Sequence, residues 1–152
     1  MADKENTAIK NSELLEVRAA IKALSGENKD LSPKGFTMAL DVSWKFARNL
    51  DKASRALETH DRLLKEVQDG FTQESGAIDK KIKADPSRTE ELEKERRAKF
   101  SEANTKAESL ADQEVEDFVP QLIEEAVFDE IEPVIPPAIL QRLFPIVKFK
   151  TP

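Results

Sequence analysis

The fold is decided by one stretch, SPKGFTMALDVSWKFARNLDKASRALETHDRLLKEVQDG, residues 32–70. Ser32 is a good helix cap, and Pro33 suits the first helical position because its φ is preset and it needs no N–H partner. We therefore predict a long helix from Ser32 to about Gly70. Its apolar seam, with an average spacing near the 3.5 residues of a coiled coil, is Phe36, Leu40, Ala47, Leu50, Leu57, Leu64, Val67 and Phe71. Such a seam needs a partner helix.

The partner helix is predicted after a polar connector of undetermined order, residues 71–84. Asp85 caps the new helix, Pro86 lies in its first turn, and good helix formers continue to about Ala111. The two helices would form a long antiparallel hairpin. The return helix has a thin apolar stripe, Leu92, Phe100, Ala103, Ala107 and Leu110, in which the alanines permit close approach of the facing helix.

The thin stripe predicts weak packing at the distal end of the hairpin. A buried Leu→Ala change costs roughly 2 to 5 kcal/mol, and a half-exposed one costs less. We therefore expect Leu50→Ala to destabilise the protein several times more than Leu92→Ala.

Shorter helices are predicted on either side of the hairpin. A leading amphipathic helix begins at Asn11 or Ser12, either of which can cap it, and ends at Ser25-Gly26. A closing helix of about two turns follows Pro136-Pro137 and stops at Pro145. Its apolar side is Leu140, Leu143 and Phe144.

The predicted fold class is mainly α, with the long hairpin, the leading helix and a small C-terminal α+β element. Residues 1–11 would be a flexible N-terminus and residues 12–112 a helical domain. Residues 113–152 would supply an acidic strand-like segment and the closing helix, packed on the same domain.

The composition removes most catalytic chemistry. The chain of 152 residues has no Cys and a single histidine, His60, which excludes disulfides, cysteine nucleophiles, iron–sulfur clusters and multi-histidine metal sites. We expect His60 on the surface. The four glycines are isolated, so no phosphate-binding loop is indicated. We therefore predict no enzyme and no catalytic, cofactor-binding or metal-binding residue.

The net charge of −6 is concentrated in one segment. Residues 113–133 carry eight acids and no base, interleaved with apolar residues that give the segment area with which to dock. Its part from Glu125 to Ile131 predicts a short strand pair. By contrast, the basic residues between Lys94 and Lys99 are neutralised by neighbouring glutamates, so nucleic acid is not an expected partner.

Location in a cytoplasm and absence of a membrane span are also predicted. The N-terminal residues are polar, unlike a signal peptide. The least charged stretch, residues 134–147, is broken by prolines and falls short of the roughly 20 apolar residues that cross a bilayer.

Large aromatic side chains are the predicted partner-binding residues, because they bury much area at little entropic cost. The candidates are Trp44, Phe71, Phe118 and Phe128. The sequence does not decide whether Trp44 is an anchor in the core or a hot spot at an interface. For the C-terminal segment, docking on a partner and folding back over the monomer are both open.

The order of these pieces resembles a group of small phage-encoded proteins of unknown function, found among tailed-phage structural genes. The resemblance runs through LLEVRAAIKAL (14–24), Pro33-Lys34 with FARNL (46–50), and PPAIL (136–140) with LFP (143–145). Trp44 and the residues between Gly70 and Asp85 have no counterpart in it. The resemblance implies a virion or assembly component and carries over no catalytic residue.

The sequence and this resemblance together imply two functional hypotheses. The first is a non-enzymatic virion component or assembly factor of a tailed phage, in the virion or the host cytoplasm, that contacts other phage structural proteins or itself as a homo-oligomer or ring. The alternative is a phage-encoded inhibitor of a host protein that presents an acidic surface as a mimic of nucleic acid.

Overall fold

The computed structural model describes residues 9–28, 35–115 and 118–149. Over these ranges the protein is mainly α, as predicted, with the helices α1 (Asn11–Leu24), α2 (Leu40–Ala56), α3 (Glu58–Ala84), α4 (Thr89–Asp112) and α5 (Pro137–Arg142). Two-residue strands accompany them: β1 (Ile9–Lys10), β2 (Glu114–Val115), β3 (Ile123–Glu124) and β4 (Val147–Lys148).

The chain divides into two compact units. The described residues up to Glu58 and from Glu114 onward form the first unit, and Thr59–Gln113 form the second, which we call the hairpin unit. One division therefore falls at Glu58, inside the range 12–112 that the sequence predicts as one domain. Of the predicted flexible N-terminus, residues 1–8 lie outside the described residues, and Ile9–Lys10 pair antiparallel with Glu114–Val115.

The α1 helix packs its predicted apolar stripe into the core of the first unit. Leu14 and Val17 are completely buried. The N-cap is Lys10, so the predicted caps Asn11 and Ser12 are wrong. Instead, the backbone N–H of Lys10 donates to Glu13 Oε1 at 3.0 Å, which satisfies a backbone group that the helix leaves unpaired.

The predicted end of α1 is confirmed. The helix stops before Ser25, and Gly26 follows with a φ of 85°, a left-handed conformation that glycine adopts without a steric penalty. Its N–H donates to the carbonyl of Ala23 at 3.1 Å, which closes the last turn.

The α2 helix begins at Leu40, so the predicted start at Ser32-Pro33 is wrong; those two residues themselves lie outside the described residues. The chain before Leu40 is occupied by other pairings. Phe36 N donates to Leu24 O at 3.0 Å, and Thr37 forms an antiparallel bridge with Glu132. These bonds hold the backbone extended where the sequence alone favours a helix.

The buried face of α2 also differs from the predicted seam. The seam residue Leu40 is 72% exposed, whereas Val42, Phe46, Asn49 and Ala53 are buried. These four recur at spacings of four, three and four residues, which places them on one helical face. That face meets α1 and the C-terminal segment, whose positions determine which side of an apolar helix is covered.

The C-terminal segment completes the core of the first unit. Ile123, Ile131 and Ile135 are buried in the same cluster as α1. Strands do occur here, since β3 pairs parallel with β4, but the strand pair predicted over residues 125–131 is wrong, because Glu125–Glu130 form a 3₁₀ helix. Val127 and Phe128 both pack on the core, whereas successive side chains of a strand point to opposite faces.

The closing helix buries most of its predicted apolar side: Leu143 is buried and Leu140 packs against the core, but Phe144 is not covered. The buried side chains are Ile139, Leu143 and Ile146, the last in a 3₁₀ turn, Phe144–Ile146. Phe144, predicted on the apolar side, is 46% exposed and contacts Phe149. The helix packs on α1 within the core of the first unit.

The predicted single helix up to Gly70 is wrong, because the structure divides it at Leu57 into α2 and α3. In the hairpin unit, α3 runs to Ala84, so the predicted connector over residues 71–84 is helical throughout. The turn is built as predicted: the Asp85 carboxylate accepts a bond from Ser87 N at 3.2 Å, and Pro86–Arg88 form a 3₁₀ turn into α4. The distal end is not weakly packed. Ile78 is 3% exposed and Leu92 is completely buried, which overturns the expected weak effect of Leu92→Ala.

Candidate protein-binding surface

The distal half of the hairpin is fastened by ion pairs between its helices. Arg96 on α4 contacts the carboxylate of Asp79 on α3, and its Nη2 also donates to Ser75 O at 3.5 Å. Lys99 Nζ lies 3.2 Å from Glu74 Oε2. The hydrogen bond that Lys99 donates to the Glu74 carboxylate raises the pKa of Lys99 above its ordinary value. The basic residues thus sit where an apolar seam would place leucine, and they hold the two helices together there.

An aromatic pair marks where the fastened half ends. The rings of Phe71 on α3 and Phe100 on α4 have their centroids 5.5 Å apart at an angle of 68°, an edge-to-face contact. Phe100 nevertheless remains 53% exposed. The two rings bridge the helices without sealing the face between them.

From the level of the Glu74–Lys99 ion pair, past these rings and towards Leu63 and Leu110, the helices leave an open groove of about 480 Å³. We call it the hairpin groove. Its apolar lining is Leu63, Val67, Phe71, Ala103 and Leu110, and its polar lining includes Glu66, Glu74, Lys99, Glu102 and Lys106. The alanine at Ala103 lines a gap, so its small size does not produce the predicted close approach at that level.

Gly70 forms a notch in the wall of the hairpin groove. A Cβ atom built on Gly70 meets no atom within 4 Å, and the same is true of Gly76, which does not line the groove. A side chain introduced at Gly70 would therefore enter open space in the groove. Gly76 offers a matched position on the same helix, outside it.

The two edges of the groove differ in charge. The α3 edge carries the acids Glu66 and Glu74, and the α4 edge carries the bases Lys99 and Lys106 with one acid, Glu102. Within the described ranges neither Glu66 nor Lys106 has an ion-pair partner, whereas Glu74 and Lys99 pair with each other. An apolar floor between charged edges is the arrangement that accepts an amphipathic helix.

No protein-family model, curated protein or solved structure matches the chain. In the described part of the chain, no helix is long and apolar enough to cross a bilayer. Over the same residues, no three His, Asp or Glu side chains converge in a way that could hold a metal ion.

Trp44 and Phe71 lie in different units. Trp44 lies on α2 in the first unit, 57% exposed, with the guanidinium carbon of Arg48 5.9 Å from its ring centroid. Its exposure agrees with an interface residue better than with a core anchor. Phe71 lies in the hairpin unit and lines the hairpin groove.

Phe118 and Phe128 are partly buried within the first unit. Phe128 packs edge to face on Phe46 with centroids 6.1 Å apart, and Phe118 touches both apolar clusters of the unit. Much of their area is already covered by this same chain. This placement corresponds to the folded-back arrangement of the C-terminal segment.

His60 is 4% exposed, so the predicted surface position is wrong. Its Nδ1 lies 3.3 Å from Asp61 Oδ1. The charged residues next to His60 in the sequence predict an exposed helix face, but the side of α3 that carries His60 is covered.

Sequence reasoning did not single out Glu66, Gly70 or Lys106 as site residues. Glu66 and Lys106 are 40 positions apart, and only the register of the hairpin brings them to the same groove. One local signal was available: Gly70 lies within the predicted helix, where glycine costs roughly 1 kcal/mol relative to alanine. Such a glycine indicates a place where a side chain is unwanted.

Proposed function

We propose that the protein is a non-enzymatic protein-binding module that acts through the hairpin groove. The observation that carries this proposal is the groove itself, with an apolar floor and charged edges along one open face of α3 and α4. From Leu63 to Glu74 it extends for roughly 16 Å at 1.5 Å per residue, the length of about three helical turns. A helix from a protein partner fits this shape better than a compact small molecule.

The burial of the hairpin unit supports the same proposal. Residues 59–113 are all described, and only His60, Ile78 and Leu92 among them are buried. Most helical stability in proteins comes from packing of an apolar face rather than from helix propensity. An unfilled apolar face therefore gains stability from a partner, and this gain is the driving force for binding.

In the setting that the phage resemblance implies, the module is a virion component or an assembly factor of a tailed phage. Its partners are then other phage structural proteins or further copies of itself, in the virion or in the host cytoplasm. Mass spectrometry of purified particles tests this setting. Stoichiometric presence in the mature particle supports a virion component, and presence only in purified assembly intermediates supports an assembly factor. Absence from both samples contradicts both roles.

The alternative, an inhibitor with an acidic surface, draws on the exposed carboxylates of the C-terminal segment. Exposed there are Glu114, Glu124, Glu125, Asp129, Glu130 and Glu132, while Glu116 and Asp117 lie outside the described residues. Replacement of Glu124, Asp129 and Glu130 by glutamine separates the two functions. Loss of partner binding in this variant, with binding retained when the groove is blocked, would favour the acidic surface.

The groove is tested by a matched pair of variants. Gly70→Trp places an indole in the groove, and Gly76→Trp places the same side chain on α3 outside it. We expect Gly70→Trp to abolish incorporation of the protein into its native assembly and Gly76→Trp to leave it intact, with both variants equally helical by circular dichroism. Equal incorporation of both variants would contradict a function through this groove.

A further inference from the structure

We propose that the occupant of the hairpin groove is the hairpin groove of a second copy, so that two hairpin units form an antiparallel four-helix bundle. In this bundle Glu66 of each copy faces Lys106 of the other. The inference rests on the proposed function, since it names the partner of that same groove. Three features of the hairpin unit support the inference: the register of α3 and α4, the charges along the edges of the groove, and the small number of buried residues.

The register places Glu66 and Lys106 at the same height along the hairpin. Phe71 contacts Phe100, and Glu74 pairs with Lys99, so α3 and α4 run antiparallel in a fixed register. Equal steps back along α3 and forward along α4 bring Glu66 level with residue 105 when counted from the aromatic pair and with residue 107 when counted from the ion pair, so Lys106 lies at the height of Glu66. Both line the groove, on opposite edges, and neither has an ion-pair partner in the described part of the chain.

The charges of the two edges make the groove complementary to itself. A two-fold axis parallel to the helices lays α3 of each copy on α4 of the other and keeps every residue at its own height. Glu74 and Lys99 already pair within each copy, so Glu66 of one copy and Lys106 of the other are the opposite charges that meet between the copies. Glu102, the one acid of the basic edge, lies between Lys99 and Lys106 on its own helix, three and four residues away.

The apolar content of the hairpin fits the same arrangement. Two helices alone enclose little core, and four-helix bundles solve this by closing apolar faces around a common centre. Leu63, Val67 and Leu110 line an open groove in one copy, but they would be covered on both sides in the pair. All neighbouring helices of this bundle run antiparallel, the arrangement of up-down-up-down bundles.

The first experiment measures the mass of the full-length protein by sedimentation equilibrium. We expect a dimer for the wild type and for Gly76→Trp and a monomer for Gly70→Trp, with unchanged helicity in all three. A wild type that remains monomeric at about 100 µM, a concentration at which even weak specific association is visible, would overturn the second copy as occupant. So would a Gly70→Trp variant that still dimerises.

The second experiment uses charge reversal and keeps the test independent of a bulky substitution. Glu66→Lys and Lys106→Glu each place like charges in both symmetric contacts, so each variant alone should dimerise roughly tenfold more weakly or worse. A mixture of the two variants restores both contacts with opposite charges. We therefore expect the mixture to dimerise as tightly as the wild type, and high salt to reduce the differences.

The outcomes separate this inference from the proposed function. If the mixture dimerises no better than the separate variants, the proposed two-fold arrangement is wrong. If the wild type is monomeric but incorporation into its assembly is still lost with Gly70→Trp and kept with Gly76→Trp, the groove binds a different protein and the proposed function stands. If incorporation is insensitive to Gly70→Trp, the proposed function fails even where the purified protein dimerises.

Discussion

Asn49 holds the backbone of Gln121 through two reciprocal hydrogen bonds. Asn49 Nδ2 donates to Gln121 O at 2.8 Å, and Gln121 N donates to Asn49 Oδ1 at 2.7 Å. Asn49 is completely buried in the middle of α2. Its amide pairs with both backbone groups of Gln121, as the backbone of a neighbouring strand would. Lys52 Nζ also donates to Val119 O at 3.0 Å. Two side chains of α2 thus hold the C-terminal segment at residues 119–121.

Asn49→Ala should destabilise the first unit by about 2 to 4 kcal/mol, because it leaves both backbone groups of Gln121 without their partners in a part-buried place. Asn104→Ala is the matched control, since Asn104 is exposed in the middle of α4 and alanine favours the helix there. Urea denaturation followed by circular dichroism measures both. Similar midpoints for the two variants would mean that the clamp contributes nothing to stability.

Leu92→Ala should cost about 2 to 4 kcal/mol, and Leu50→Ala less, because Leu92 is completely buried while Leu50 is only partly buried. This order is the reverse of the one that the thin stripe of the return helix predicts. Denaturant midpoints of the two variants, measured at equal protein concentration, decide it. A larger shift for Leu50→Ala would show that the distal end of the hairpin is loosely packed in solution.

The sequence predicts those parts of the fold that depend on local chemistry. The Asp85 cap, the Gly26 stop and the amphipathic stripe of α1 each act within a few residues, and each is where the sequence places it. The fold class follows from them.

The start and the buried face of α2 depend instead on distant residues. Thr37 is held extended by Glu132, and Asn49 is buried because Gln121 binds it. The spacing of apolar residues within α2 carries no information about Glu132 or Gln121, so it cannot predict their effects on the helix. The hairpin groove is harder still, since it depends on how far two helices stand apart and not on any pattern within either.

The ion pair of Lys99 with Glu74 predicts a loss of stability at alkaline pH. The hydrogen bond to Glu74 raises the pKa of Lys99 in the folded protein above its ordinary value of 10.5. The stabilisation by the ion pair is therefore complete below the pKa that Lys99 has in the unfolded chain. It is lost as the pH rises through the raised pKa that Lys99 has in the folded protein.

Thermal melts of the wild type and of Lys99→Met at several pH values test this contribution. We expect the wild type to have the higher Tm at neutral pH and the difference to shrink above pH 10.5. The effect is small, because Lys99 is accessible to solvent and salt. A difference that stays constant across the alkaline range would mean that packing of the lysine stem, and not its charge, stabilises the hairpin.

Glycine-to-alanine changes should have opposite effects at two positions. Gly76 lies inside α3, where an added Cβ meets nothing within 4 Å, so Gly76→Ala should stabilise the hairpin by about 0.5 to 1 kcal/mol. Gly26 has a φ of 85°, and Gly26→Ala should destabilise the first unit by about 1 kcal/mol, since a Cβ strains this conformation. Denaturant midpoints at low protein concentration measure both effects apart from any self-association. Destabilisation by Gly76→Ala would mean that α3 is interrupted at this glycine in solution.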